Sequence, residues 1–159
     1  MTADEVEILL VEDDPAEAEL TMHALRKERL GNRIELARDG AEALDFLFCR
    51  GAHAGRSFTQ PPRLVLLDLK LPKVSGHEVL QAMKGDERTK AIPVVVLTSS
   101  NQERDLVQCY QLGVNSYIQK PVELHKFQDI VRQFGMYWLM VNEAVPQAAF
   151  ASKLQRGSA

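Results

Sequence analysis

No apolar run in this sequence approaches the roughly 18 residues that a membrane span requires. Its first residues, Met1-Thr2-Ala3-Asp4-Glu5, are acidic where a secretory leader would be basic. Together these absences predict a cytoplasmic protein with no membrane contact. Cysteine is scarce. Cys49 and Cys109 stand far apart, without metal-type spacing, so a disulfide scaffold and a thiolate metal centre are excluded and two reduced thiols are expected. The histidines, His23, His53, His77 and His125, are equally scattered and read as ordinary helix or loop residues. Basic runs are also lacking, and with a formal net charge of −3 the chain has no electrostatic attraction for nucleic acid.

What remains is ordinary globular material. At 159 residues, 45% of them hydrophobic and 26% charged, the chain suits one domain with a proper core and rules out disordered and fibrous classes. Val6-Glu7-Ile8-Leu9-Leu10-Val11, Leu64-Val65-Leu66-Leu67 and Ile92-Pro93-Val94-Val95-Val96-Leu97 read as strands buried on both faces of a parallel sheet. Ile34-Glu35-Leu36-Ala37 alternates and reads as a strand nearer an edge, and Val114 to Gln119 forms the last strand. Helical stretches separate them. The first starts with Asp14 as N-cap and Pro15 in the first position, presents Ala18, Met22 and Leu25, and runs to about Leu30. The second follows Asp39-Gly40 with Ala41, Leu44, Leu47 and Phe48 on one face. The third follows Ser75-Gly76 with Val79, Leu80 and Met83 inward, and the fourth carries Leu106, Val107 and Tyr110. Residues 51–62 are expected to be a long mobile loop. Five strands alternating with five helices predict a doubly wound, five-stranded parallel α/β sheet, with 2-1-3-4-5 the usual strand order at this size.

Such a sheet gathers its chemistry beyond the carboxyl ends of its strands. Glu12 and Asp13 follow the first strand, Asp68 the third, Thr98 the fourth and Lys120 the fifth. In the order 2-1-3-4-5 the first and third strands are neighbours, so three carboxylates converge beside a hydroxyl and an ammonium. Clustered carboxylates without Cys or His suit a hard cation, and Mg²⁺ fits better than Ca²⁺ because few protein oxygens are offered. A lysine and a threonine opposite would meet the remaining oxygens of a phosphoryl group.

These residues resemble the receiver domains of two-component response regulators over about residues 6 to 134. The acidic pair Glu12-Asp13, the run Asp68, Pro72 and Gly76, the hydroxyl of Thr98 and the pair Lys120-Pro121 stand in that family's order and strand context. The resemblance implies Asp68 as phosphoacceptor, taking the phosphoryl group from a phosphohistidine of a sensor histidine kinase to give an aspartyl phosphate. It implies Mg²⁺ held directly by Asp13 and Asp68 and by the backbone carbonyl of Lys70, with Glu12 acting through water. Lys120 and Thr98 would steady the phosphoryl oxygens. Thr98 and Tyr117 would form a switch pair that reshapes the face of the fourth helix, fifth strand and fifth helix.

Within receivers, the long loop before the third strand, the stretches 93–100 and 110–117 and the run Phe134 to Trp138 are similar to small regulators serving bacterial phytochrome kinases. From Leu124 an apolar stripe through Phe127, Val131, Phe134 and Trp138 extends the last helix further than one small sheet needs. That predicts a homodimer formed through this helix, with Gly135 a place for a kink. The receiver is expected to occupy residues 1–143 and a flexible tail 144–159. With no room for a DNA-binding output domain, the signal is expected to pass by protein contact or onward relay. Two other classes compete: a phosphorylation-independent dimerisation module, and an aspartyl-phosphate phosphatase of the haloacid dehalogenase type. The latter wants a second acid two residues after its nucleophile, where this chain has Lys70.

Overall fold

The computed structural model describes residues 6–28, 33–120 and 124–135, the side chains of the last helix being described for 125–133. Five parallel strands, β1 (Ile8–Val11), β2 (Ile34–Ala37), β3 (Leu64–Leu67), β4 (Val94–Thr98) and β5 (Ser116–Gln119), form one sheet in the order β2-β1-β3-β4-β5. The doubly wound architecture and its strand order are as the sequence predicts. β1 lies in register between β2 and β3, Leu10 facing Leu36 on one side and Leu66 on the other, so β1, β3 and β4 form the buried centre. Their runs lack polar alternation because helices cover both faces.

The helices are α1 (Pro15–Lys27), α2 (Gly40–Leu47), α3 (Gly76–Lys84), α4 (Glu103–Gln111) and α5 (Leu124–Gly135). Strand alternation splits the core in two. Leu9, Val11, Val65 and Leu67 point to α2 and α3, packing on Phe46, Leu47, Val79, Leu80 and Met83. Ile8, Leu10, Leu64 and Leu66 point to the other face, where Ala18, Ala24 and Leu25 of α1 meet Phe127 and Val131 of α5.

Helix starts follow their caps. The Asp14 carboxylate accepts from the N–H groups of Ala16 and Glu17, with Pro15 in the first turn; Asp39 accepts from Glu42 N–H and Ser75 Oγ from Glu78 N–H. The buried face of α2 is centred on Ala43, Phe46 and Leu47, with Ala41, Leu44 and Phe48 only half-buried. α4 buries little of its surface. Its Cys109 is buried, whereas Leu106, Val107 and Tyr110 are exposed.

Within residues 51–62, expected as a long mobile loop, His53, Arg56 and Phe58 pack on the domain while most of the other residues are exposed. Gly51–His53 forms a 3₁₀ turn, and His53 stands edge-on to Phe46 at 5.2 Å. The Arg56 guanidinium lies 3.5 Å from the Phe46 ring centroid and donates to the carbonyls of Phe46 and Gln60. Phe58 meets Phe48, with Arg88 over its ring. Ring edges and guanidinium faces replace the aliphatic periodicity that marks ordered segments in a sequence.

The apolar stripe of α5 is committed, over its described part, to the domain itself. Phe127 is 6% exposed and Val131 fully buried, and Arg132 binds Glu28 at the end of α1 through two bonds of 3.0 Å. Both residues, expected in a self-association face, are thus buried within the domain, where they cover the α1 side of the sheet. The Phe134 side chain, Trp138 and the expected tail lie outside the described residues.

Candidate functional site

The carboxyl ends of β1, β3 and β5 bring Glu12, Asp68 and Lys120 together. Lys120 Nζ donates to Glu12 Oε1 at 2.9 Å and to Glu17 Oε2 at 2.8 Å, and lies 3.6 Å from Asp68 Oδ2. Glu12, Glu17 and Asp68 place carboxylate oxygens within 4.8 Å of one another, the spacing of a possible cation site. Glu17 is the member that the sequence reading missed. It stands three residues after Asp14, as in a capping box, where an acid would ordinarily turn back on its own helix end. Instead it reaches across to the fifth strand's lysine, because the first turn of α1 opens at the rim where β1 ends.

Asp13, expected to hold a cation directly, follows Glu12 beyond the end of β1 and is exposed, and its carboxylate is not among these three. Asp68 is buried, with Oδ1 accepting from the N–H of Lys70 at 3.1 Å. Lys70 itself is exposed. The third helix comes close beneath this loop. A Cβ on Gly76 would lie 2.3 Å from the carbonyl oxygen of Asp68, so no larger residue fits where α3 starts. That close approach explains why a glycine stands eight residues after Asp68.

Thr98 is fully buried at the end of β4, where its carbonyl accepts from Lys120 N–H at 2.7 Å and its Oγ1 from Ser100 N–H at 3.3 Å. The half-buried Tyr117 donates its hydroxyl to the Ser100 carbonyl at 3.3 Å. Ser100 Oγ binds Asp105, whose other oxygen meets His77 Nε2 at 3.2 Å. The loop after β4 is thereby tied to α3 and α4. The serine bond, helped by His77, holds the Asp105 carboxyl below its usual range against the opposing effect of burial.

The pocket is short of positive charge. Burial first, then the adjoining acids Glu17 and Asp68, push Glu12 up to about 9. Contact with Glu12 and Lys120 lowers Glu17. For Lys120, burial alone would lower the ammonium, but Glu17, Glu12 and Asp68 outweigh it and raise it. Glu12 is 3% exposed, yet its Oε2 has no hydrogen-bond partner. An orphaned, buried carboxylate oxygen among three acids and one lysine fits a divalent cation or its water shell, and the all-oxygen donor set fits Mg²⁺.

A family profile described as the response regulator receiver domain matches residues 8–132. The chain belongs to that family. The probable methanogenesis regulatory protein FilR2 of Methanothrix harundinacea is 48% identical over 137 residues, 86% of each chain. Response regulator Rcp1 of Synechocystis is 39% identical over 132 residues, 83% of this chain and 88% of Rcp1. The crystal structure of the Mn²⁺-bound form of Rcp1 superposes with a TM-score of 0.78 at 36% identity, covering 88% of this receiver and 99% of that chain. The phosphorylated cyanobacterial phytochrome response regulator RcpA superposes with a TM-score of 0.79 at 39% identity, covering 88% and 98%. No helix among the described residues of this receiver is long and apolar enough to cross a membrane.

Proposed function

We propose that this receiver is the phosphoryl acceptor of a two-component relay, taking the group onto Asp68 from a phosphohistidine on a sensor histidine kinase of the phytochrome kind. The observation that carries this reading is the meeting of Asp68, Lys120 and the orphaned Glu12 oxygen at one strand edge. An Asp68 carboxylate oxygen attacks phosphorus, the phosphorus–nitrogen bond of the donor breaks, and the departing imidazole nitrogen keeps the electron pair. The product is an acyl phosphate on Asp68. Lys120, 3.6 Å away, pairs with a phosphoryl oxygen, and the Thr98 hydroxyl donates to another. Asp68 and Asp13, the carbonyl of Lys70 and Glu12 through water are the residues that would hold Mg²⁺. When bound, the ion supplies the positive charge that lets one anion approach another.

Transfer of the Thr98 hydroxyl to the phosphoryl group removes an acceptor from the Ser100 N–H, loosening the loop whose carbonyl holds Tyr117. The α4–β5–α5 face changes with it, and output passes by protein contact or onward transfer. Phosphatase chemistry is disfavoured because the residue two after Asp68 is an exposed lysine. Incubation with Mg²⁺ and acetyl phosphate tests the reading. The expected product is an acid-resistant, hydroxylamine-labile adduct that is absent from Asp68→Asn. Rapid multiple turnover of phosphomonoesters, or no adduct on the intact protein, sinks it.

A further inference from the structure

Lys120 carries three N–H donors, and three acids surround it. Two bonds are short, to Glu17 and Glu12, while the third neighbour, Asp68, stands back at 3.6 Å. The two short partners differ in kind. Glu12 is buried, carries an orphaned oxygen and faces the proposed ion. Glu17 is half-exposed, with its backbone N–H held by the Asp14 carboxylate at 3.3 Å in the first turn of α1. The Lys120 backbone is fixed too, through its N–H bond to the Thr98 carbonyl, but its four-carbon stem is flexible. Something must hold the ammonium when Glu12 is drawn toward a cation.

We propose that Glu17 is a positioning residue for Lys120, anchoring the ammonium from the helix side so that its remaining donor faces the phosphoryl group on Asp68. The inference rests on Asp68 being the acceptor and adds a residue from outside the strand tips. Glu17 does not touch the transferred group. It keeps the lysine from swinging out of line, and its bond need not break when the third donor finds a phosphoryl oxygen in place of the Asp68 carboxylate.

Glu17→Ala, on an exposed side of a first turn, leaves the helix intact. In metal-free protein labelled with ¹⁵N-lysine, the slowed ammonium signal of Lys120, identified by its loss in Lys120→Arg, disappears in Glu17→Ala. Lys84, whose Nζ donates to the carbonyls of Lys90 and Ile92 at 2.9 and 3.2 Å, keeps its signal and serves as control. With acetyl phosphate and Mg²⁺, Glu17→Ala slows adduct formation about twofold to fivefold, the worth of one half-exposed ion pair. It adds no further slowing in the Lys120→Met background, and Mg²⁺ affinity changes by less than about twofold. An unchanged Lys120 signal, additive slowing, or a tenfold fall in Mg²⁺ affinity, which would make Glu17 an ion ligand, overturns the proposal. Absence of any adduct on the wild-type protein overturns the Asp68 reading itself, while the ammonium signal still reports whether Glu17 holds Lys120.

Discussion

Two polar clusters lie on either side of the end of β4, and they are built on opposite principles. Around Asp105 each group has its answer: Ser100 donates to one oxygen, His77 meets the other, and Tyr117 closes on the Ser100 carbonyl. Around Lys120 the acids outnumber the cation, one buried oxygen has no partner, and Glu12 retains its proton far above the usual carboxylate range. A balanced cluster is complete as a structural tie. An unbalanced one is completed from outside, so an unanswered buried atom separates a binding pocket from a tie even where both contain carboxylates at one sheet edge.

The largest effect that could break this contrast is stabilisation by a divalent ion. Mg²⁺ at a hundredfold excess over its dissociation constant should stabilise the wild-type protein by about 2.7 kcal/mol. By differential scanning calorimetry that is a rise in Tm of roughly 5 to 10 °C for a chain of this size. Glu12→Gln and Asp68→Asn should lose most of the rise, and Asp105→Asn should keep it. Equal loss in all three would erase the distinction.

Next in size is the response to pH. Glu12 binds its proton more tightly folded than unfolded, its folded value lying near 9 against an ordinary 4.5. Its contribution to metal-free stability is therefore fully present below about pH 4.5 and is lost as pH rises toward 9, at most about 1.4 kcal/mol per unit. Glu17, shifted downward, acts only below its ordinary value. Urea midpoints at pH 6, 7 and 8 should fall in sequence for the wild type and stay level for Glu12→Gln. A midpoint that rises with pH contradicts the assignment.

The smallest effect sharpens the balanced side. Asp105→Ala leaves Ser100 and His77 without their acceptor and should destabilise by about 1 kcal/mol in urea unfolding, with Mg²⁺ affinity unchanged. A stabilised Asp105→Ala would mean that this cluster, too, was carrying unrelieved charge.

Much of this was legible beforehand. The runs Ile8-Leu9-Leu10-Val11 and Leu64-Val65-Leu66-Leu67 announce buried parallel strands, and strand order then places Asp68 beside Glu12. Asp14 and Pro15 announce the start of α1. Illegible were the features that depend on reach between elements. The packing of residues 51–62 rests on Arg56 and Phe58 meeting α2, the exposure of Leu106, Val107 and Tyr110 on how α4 lies against the sheet, and the burial of Phe127 and Val131 on cover for α1.

By itself, then, the amino-acid order determined the strands, helices and caps, because hydrophobic period and capping chemistry act between residues close along the chain. It also determined that Asp68, Thr98 and Lys120 would stand at strand ends. Only the tertiary structure decided that Glu17, not Asp13, joins Glu12 around Lys120, and that one Glu12 oxygen is left unanswered. Both outcomes depend on which way a side chain turns as it leaves a strand and on what lies within about 3 Å of it, a hydrogen-bond distance set by packing between segments more than a hundred residues apart.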